Sequence, residues 1–233
     1  MRVFEVILFD LDDTLWDARP ALLRAEAAHH AWLEQHAPRV AQAHAPDELR
    51  RLRLACAARH PELAHDFTRL RRAALAELLA EYGYDAAAAG PAIAEFVVER
   101  SRVELYPDAA PALADLSRDH TLVALTNGNA DLAVAGVAAY FTACISPAES
   151  GVQKPDARMF SAALAAVGAK AERAVHVGDQ PLYDIEGAHR ANLKSVWLNR
   201  SGAAWPADYA PAHAEVARLT EIRAALVRLA QSA

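Results

Sequence analysis

After residue 119 the chain alternates between two rhythms, and this alternation limits its architecture more than any other feature. Thr121–Thr126 (TLVALT), Ala143–Ser146 (ACIS), Ala174–Val177 (AVHV) and Ser195–Leu198 (SVWL) are short apolar runs rich in β-forming residues. Helical patterns separate or flank them near 108–118, 129–139, 156–167, 183–191 and 214–231. Short strands alternating with helices imply a parallel sheet covered by helices on both faces. Residues 3–9 supply one more strand, far from its fellows in sequence.

The intervening stretch reads differently. No glycine occurs before Gly83, and seven of the nine lie from Gly128 onward. Residues 17–103 are rich in the helix formers Ala, Leu, Arg and Glu. Apolar residues recur at three- and four-residue spacing near 20–35, 46–59, 65–82 and 91–103. Pro46 and Pro91 fall at helix starts, Pro61 falls between two helices, and Tyr82-Gly83-Tyr84-Asp85 reads as a stop. The expectation is an all-helical domain at 17–103 inserted into an α/β core of residues 1–16 and 104–233. Tyr106-Pro107-Asp108 has the turn chemistry of the re-entry point.

Composition narrows the partners. Twenty-four Lys+Arg against 30 Asp+Glu leave a net charge of −6, which argues against a general nucleic-acid binder. No apolar run approaches the roughly 18–20 residues of a membrane span. The N-terminus lacks a signal-peptide layout. Cys56 and Cys144 show no metal-type spacing and read as reduced thiols, so a cytoplasmic protein is expected. Oligomeric state is not legible.

The polar residues sit where the predicted strands end. Asp10, Asp12 and Asp13 crowd into four positions after the apolar run Val6-Ile7-Leu8-Phe9. Clustered carboxylates repel one another and resist desolvation, so a structural role alone is a poor account of them. The second predicted strand ends in Thr126-Asn127-Gly128, and a later one in Gly178-Asp179, with Asp184 five residues on. Lys154-Pro155-Asp156 precedes a helix. In open α/β sheets the ligand crevice lies at the carboxyl ends of the strands. One crevice then gathers several carboxylates beside one lysine, a set that a divalent cation would neutralise.

Asp10-Leu11-Asp12-Asp13-Thr14 resembles the first motif, DxDxT, of the haloacid dehalogenase-like hydrolases. Thr126-Asn127-Gly128 resembles their second motif, Lys154-Pro155 the third, and Gly178-Asp179 through Asp184 the fourth, GDxxxxD. All four appear in family order, and the resemblance spans nearly the whole chain. It implies a Rossmann-like core with a helical C1 cap. It also implies Mg2+ held by the carboxylates of Asp10 and Asp179 and the backbone carbonyl of Asp12, with Asp184 supporting the shell directly or through water. Thr126, through its hydroxyl, and Asn127, through its backbone amide, would hold the phosphate of a substrate.

The chemistry agrees. Phosphoryl transfer needs an in-line nucleophile, charge neutralisation and a proton for the leaving oxygen. Asp10 is assigned as nucleophile, forming an aspartyl-phosphate. Asp12 is assigned as general acid and then general base. Lys154 balances the charge of Asp10 and the phosphate. Each residue alone has a plainer reading as a capping acid, a turn or a solvated lysine. Asp13 and Thr14 are read as structural, with Thr14 bonding local backbone, and His176 as a core or supporting histidine.

The expected activity is a Mg2+-dependent phosphomonoesterase acting on a small phosphorylated metabolite. A phosphotransferase or phosphomutase on the same scaffold is the alternative. A silent binding protein would have lost one of Asp10, Asp12, Lys154 or Asp179. A haloacid dehalogenase is disfavoured by Asp12, because a halide leaving group needs no proton. The segment ALTNGNADL and Val175-His176-Val177-Gly178-Asp179 are similar to a branch acting on flavin mononucleotide and a phosphorylated riboflavin precursor. Residues 39–72 carry eight arginines (Arg39, Arg50, Arg51, Arg53, Arg59, Arg69, Arg71, Arg72) against four acids. They are read as a solvated face rather than an anion site. Trp16, Trp32, Phe67 and Tyr84 are read as core.

Overall fold

The computed structural model describes residues 3–231. The chain divides into two compact units.

The first unit holds residues 3–17, 104–128 and 136–231. Its centre is a six-stranded sheet of β1 (Val6–Phe9), β2 (Thr121–Leu125), β3 (Ala143–Ile145), β4 (Ala174–Gly178), β5 (Lys194–Leu198) and β6 (Ala214–Val216). The strand order is β3-β2-β1-β4-β5-β6, and every pair is parallel. Helices cover both faces, α6 (Ala109–Leu116) and α7 (Pro147–Ser150) among those of this unit, as the strand–helix rhythm requires. β1 lies between β2 and β4 and is buried along its whole length, which explains its unbroken apolar run. On one face Val6, Leu8, Val123 and Leu125 pack with Met159, Phe160, Ala163 and Leu164 of α8 (Ala157–Ala166). Gly187 opens α9 (Gly187–Arg190), and a Cβ there would sit 2.7 Å from the ring of Phe160. The small residue allows the two helices to approach.

The second unit holds Ala18–Val103 and Asn129–Ala135. Its α-helices are α1 (Ala18–His36), α2 (Pro38–Ala43), α3 (Pro46–Arg59), α4 (Phe67–Glu81) and α5 (Ala89–Ser101). Asp66 caps α4 by accepting from the Thr68 and Arg69 amides. Gly83 stops that helix region at φ +72°. Leu33, Val40, Leu75, Leu79 and Ile93 form the unit's core. Arg71 and Arg53 turn to Glu26, with Arg71 bidentate at 2.9 and 3.2 Å, so part of the arginine cluster is internally neutralised. Of the four aromatics read as core, Trp16 is fully buried but Phe67 is 47% exposed.

Two expectations fail. The rhythm predicts helix over 214–231, but Ala214–Val216 pairs with β5 and the helix, α10, covers Ile222–Gln231. Three residues are too few to show a period, and a non-local partner decides their state. Helix is also predicted over 129–139, where the structure has turns. Asp131 Oδ1 accepts from the Ala133 and Val134 amides, and Gly136 takes φ +76°. Local side-chain bonding there outcompetes the alanine propensity.

Candidate active site

The register of three strands brings the polar residues together. Phe9 pairs with Ala124 on one side and Val177 on the other. Asp10 therefore leaves the sheet level with the ends of β2 and β4, and its amide still donates to Val177 O at 2.9 Å. Thr126 and Asp179 follow those strands directly. The Asn127 side chain clasps the third motif, accepting from the Lys154 amide at 2.7 Å and donating to Lys154 O at 2.9 Å. Thr126 Oγ1 accepts from the Gly128 amide at 2.9 Å.

At the centre is a buried ammonium between carboxylates. Lys154 Nζ donates to Asp10 Oδ1 at 2.6 Å and to Asp184 Oδ1 at 2.7 Å, and only 2% of the residue is exposed. Asp184 also accepts from His176 Nε2 at 2.9 Å and, through Oδ2, from the Gln180 amide at 2.9 Å. Gly178 makes room for this carboxyl: a Cβ there would lie 2.2 Å from Asp184 Cγ. Thr14 Oγ1 donates to Asp10 Oδ2 at 3.0 Å and lies 3.4 Å from Asp179 Oδ1.

Charge is unequally shared here. Burial alone would raise Asp184, but Lys154 and His176 outweigh it and hold its carboxyl well below the usual range. Burial, reinforced by Asp184 and Asp179, pushes Asp10 well above that range against the pull of Lys154. Burial and Asp184 push Asp179 up to about 7. Burial would lower Lys154, yet Asp10 and Asp184 raise it, so it stays charged. Burial lowers His176, which is therefore neutral, and its Nε2–H donates to Asp184. One cation faces three carboxylates.

Oxygens of Asp10, Asp179 and Asp184 all lie within 4.8 Å of one another. Such a hard donor set with surplus negative charge fits Mg2+. A cavity of about 140 Å³ opens onto these residues and onto Asp12, Asp13, Thr126, Asn127, Gly128, Lys154, Gln180 and Tyr183. That is below the size of a typical whole-ligand pocket, so it accommodates the reacting group.

Every residue singled out in the four motifs thus meets at one crevice. Other contacts were not legible in the sequence. Thr14 bonds the Asp10 carboxylate rather than local backbone, because the chain turns back on itself after β1. Asp13 makes that turn at φ +61°. Trp16 donates its indole N–H to Asp12 Oδ1 at 2.8 Å. The indole of Trp197 donates to Asp179 O at 2.8 Å, and Gln180 Nε2 to Asp179 Oδ2 at 2.6 Å. His176, which alternates with Val175 and Val177, supports Asp184 from below.

Comparison with known proteins agrees with this geometry. The model of the haloacid dehalogenase-like hydrolases matches residues 4–192. The 5-amino-6-(5-phospho-D-ribitylamino)uracil phosphatase YigB of Escherichia coli is 30% identical over 93% of each chain. A phosphoserine phosphatase of Thermus thermophilus is 41% identical over 45% of each chain. A solved structure named as a 2-haloacid dehalogenase of Pseudomonas syringae superposes with a TM-score of 0.90. It is 37% identical, and the match covers 97% of this chain and 99% of that one. An Asp-based crevice at the strand ends, its four motifs in order, and these likenesses converge: the chain belongs to the haloacid dehalogenase-like hydrolases, and it is an enzyme.

Proposed function

We propose that the chain is a phosphomonoesterase that hydrolyses a small phosphorylated metabolite through a phospho-Asp10 intermediate. The observation carrying this reading is the buried Lys154 ammonium shared by Asp10 and Asp184, with Asp179 alongside. It holds a carboxylate nucleophile in fixed orientation and leaves surplus negative charge for a cation and a phosphate to complete.

In the proposed reaction an Asp10 oxygen attacks phosphorus and the bond to the leaving oxygen breaks. Asp12 gives its proton to that oxygen. It then takes a proton from the water that attacks the phospho-aspartate, which releases phosphate and restores Asp10. Trp16 holds Asp12 Oδ1 for both transfers. Thr126 Oγ1 and the Asn127 amide bind the phosphate oxygens, and Lys154 offsets their charge. Asp10, Asp179 and the backbone carbonyl of Asp12 would hold Mg2+. Its role when bound is to neutralise the phosphoryl oxygens. Asp184 acts chiefly as a buttress, since its oxygens already serve Lys154, His176 and Gln180.

The YigB likeness over nearly the full chain supports 5-amino-6-(5-phospho-D-ribitylamino)uracil or a similar ribityl phosphate as substrate. The helical unit takes the family's cap role on the ground of its place in the sequence, between the first and second motifs. The same reading makes the enzyme cytoplasmic. No helix among the described residues is long and apolar enough to cross a membrane.

A dehalogenase is the second reading, favoured by the structure from Pseudomonas syringae. Asp12 argues against it, because halide departs without a proton. The test is phosphate release from an aryl phosphate, flavin mononucleotide, phosphoglycolate and sugar phosphates, with and without Mg2+. Halide release from a 2-haloacid is followed in parallel. Mg2+-dependent phosphate release that disappears in Asp10→Asn is expected. Halide release without phosphate release would overturn the reading, as would full activity in Asp10→Asn. Phosphate passed to a second acceptor without net release would mark a phosphotransferase or mutase.

A further inference from the structure

The helical unit carries a second group of ligating side chains, which the proposed reaction does not use. Cys56 lies in the last turn of α3 and His60, four residues on, is the residue that caps it. The His60 amide continues the helical pattern by donating to Cys56 O at 2.9 Å. Glu77 reaches the same point from α4, with Oε1 2.8 Å from His60 Nε2. The three ligand atoms lie within 4.8 Å of one another. Cys56 is fully buried, so its thiol is directed inward rather than into solvent. Behind the imidazole, Glu62 Oε1 lies 3.3 Å from Nδ1. Both ring nitrogens therefore face carboxylates, and with a metal at Nε2 the Glu62 contact at Nδ1 is the kind that typically backs a metal-bound histidine.

We propose that Cys56, His60 and Glu77 form a site for a borderline divalent cation of the zinc type, with Glu62 orienting His60. One sulfur, one nitrogen and one oxygen donor, completed by water, fit a four-coordinate ion. Mg2+, which selects oxygen donors, would not compete here. Tetrahedral zinc sets its ligand atoms roughly 3.3–3.8 Å apart, so the three side chains close in by small rotations. Binding sends the Cys56 thiol proton and the Nε2 proton now shared with Glu77 to solvent, so that Nε2 faces the ion unprotonated. Arg59, which now pairs with Glu77, swings out; both partners are solvent-accessible. The site was invisible to cysteine counting, because its partners are a histidine one turn on and a glutamate from another helix.

The probe is Co2+, added to the full chain in excess Mg2+ so that the oxygen-donor crevice is filled. A thiolate-to-cobalt charge-transfer band in the near ultraviolet is expected to saturate at one equivalent and to fade when Zn2+ is added. The band should be lost in Cys56→Ser and in His60→Ala, and retained in Cys144→Ser and Asp179→Asn. Far-ultraviolet circular dichroism verifies folding. His60→Ala, at a partly exposed position, serves if the buried Cys56→Ser variant fails to fold. No band in the parent, a band surviving either His60→Ala or Cys56→Ser, or one lost with Cys144→Ser would overturn the site.

Discussion

Trp16 donates its indole N–H to Asp12 Oδ1 at 2.8 Å, and the ring is fully buried. Asp12 and Trp16 also form a β-bridge, and Trp16 forms another with Leu105, so backbone as well as side chain positions the acid. Trp16→Phe keeps an aromatic ring but removes the donor. It should lower kcat roughly tenfold with little change in KM, a fraction of what complete loss of a general acid costs. Steady-state kinetics of Trp16→Phe beside Asp12→Ala checks this. An unchanged kcat would show that the indole does not orient the acid.

Lys154 stands where two buried carboxylates need it. Lys154→Met should abolish turnover and destabilise the fold by about 3–5 kcal/mol, because Asp10 and Asp184 lose their shared counter-charge. Urea denaturation with and without Mg2+ measures the second effect. Recovery of part of the lost stability by Mg2+ is expected, since a cation replaces the missing charge.

Gly178 is needed for space rather than for torsion. A methyl group there would fall within 2.2–2.6 Å of three Asp184 atoms, and that side chain is pinned by Lys154, His176 and the Gln180 amide. Gly178→Ala should therefore cost about 3 kcal/mol, the upper part of the overpacking range. Activity should fall with it. A variant with parental stability and kinetics would mean that the Asp184 side chain can move aside.

His29 of α1 gives the helical unit a pH-dependent stability. Burial, then Arg71, lowers its pKa from 6.5 to about 4; Glu26 opposes this shift and Arg53 and His30 add to it. The unfolded chain thus binds more protons between these values. The stabilisation is complete above pH 6.5 and is lost as pH falls towards 4, on the order of 3 kcal/mol in all. Roughly 2 kcal/mol of it should vanish between pH 7 and pH 5. His29→Gln should flatten that part of the profile in urea denaturation. Equal slopes for parent and variant would show that His29 titrates normally.

Pattern and propensity made much of this protein legible. The apolar run before Asp10, the strand–helix rhythm after residue 119 and the helix-forming stretch before Gly83 are local properties, carried by periodicity and side-chain preference. They predicted the parallel sheet, and the four motifs named the residues that meet at its edge. Local rules could not decide contacts between distant segments. Ala214–Val216 is a strand only because β5 offers it hydrogen bonds. His176 looks like any core residue until the fold sets Asp184 against it, and Trp16 looks like core until the turn at Asp13 brings Asp12 to its indole. Sequence determined which chemical groups the chain owns and where five of its six strands lie. Only the tertiary structure decided which of those groups touch, because hydrogen bonds and ion pairs act over a few ångströms while their partners lie up to 186 residues apart.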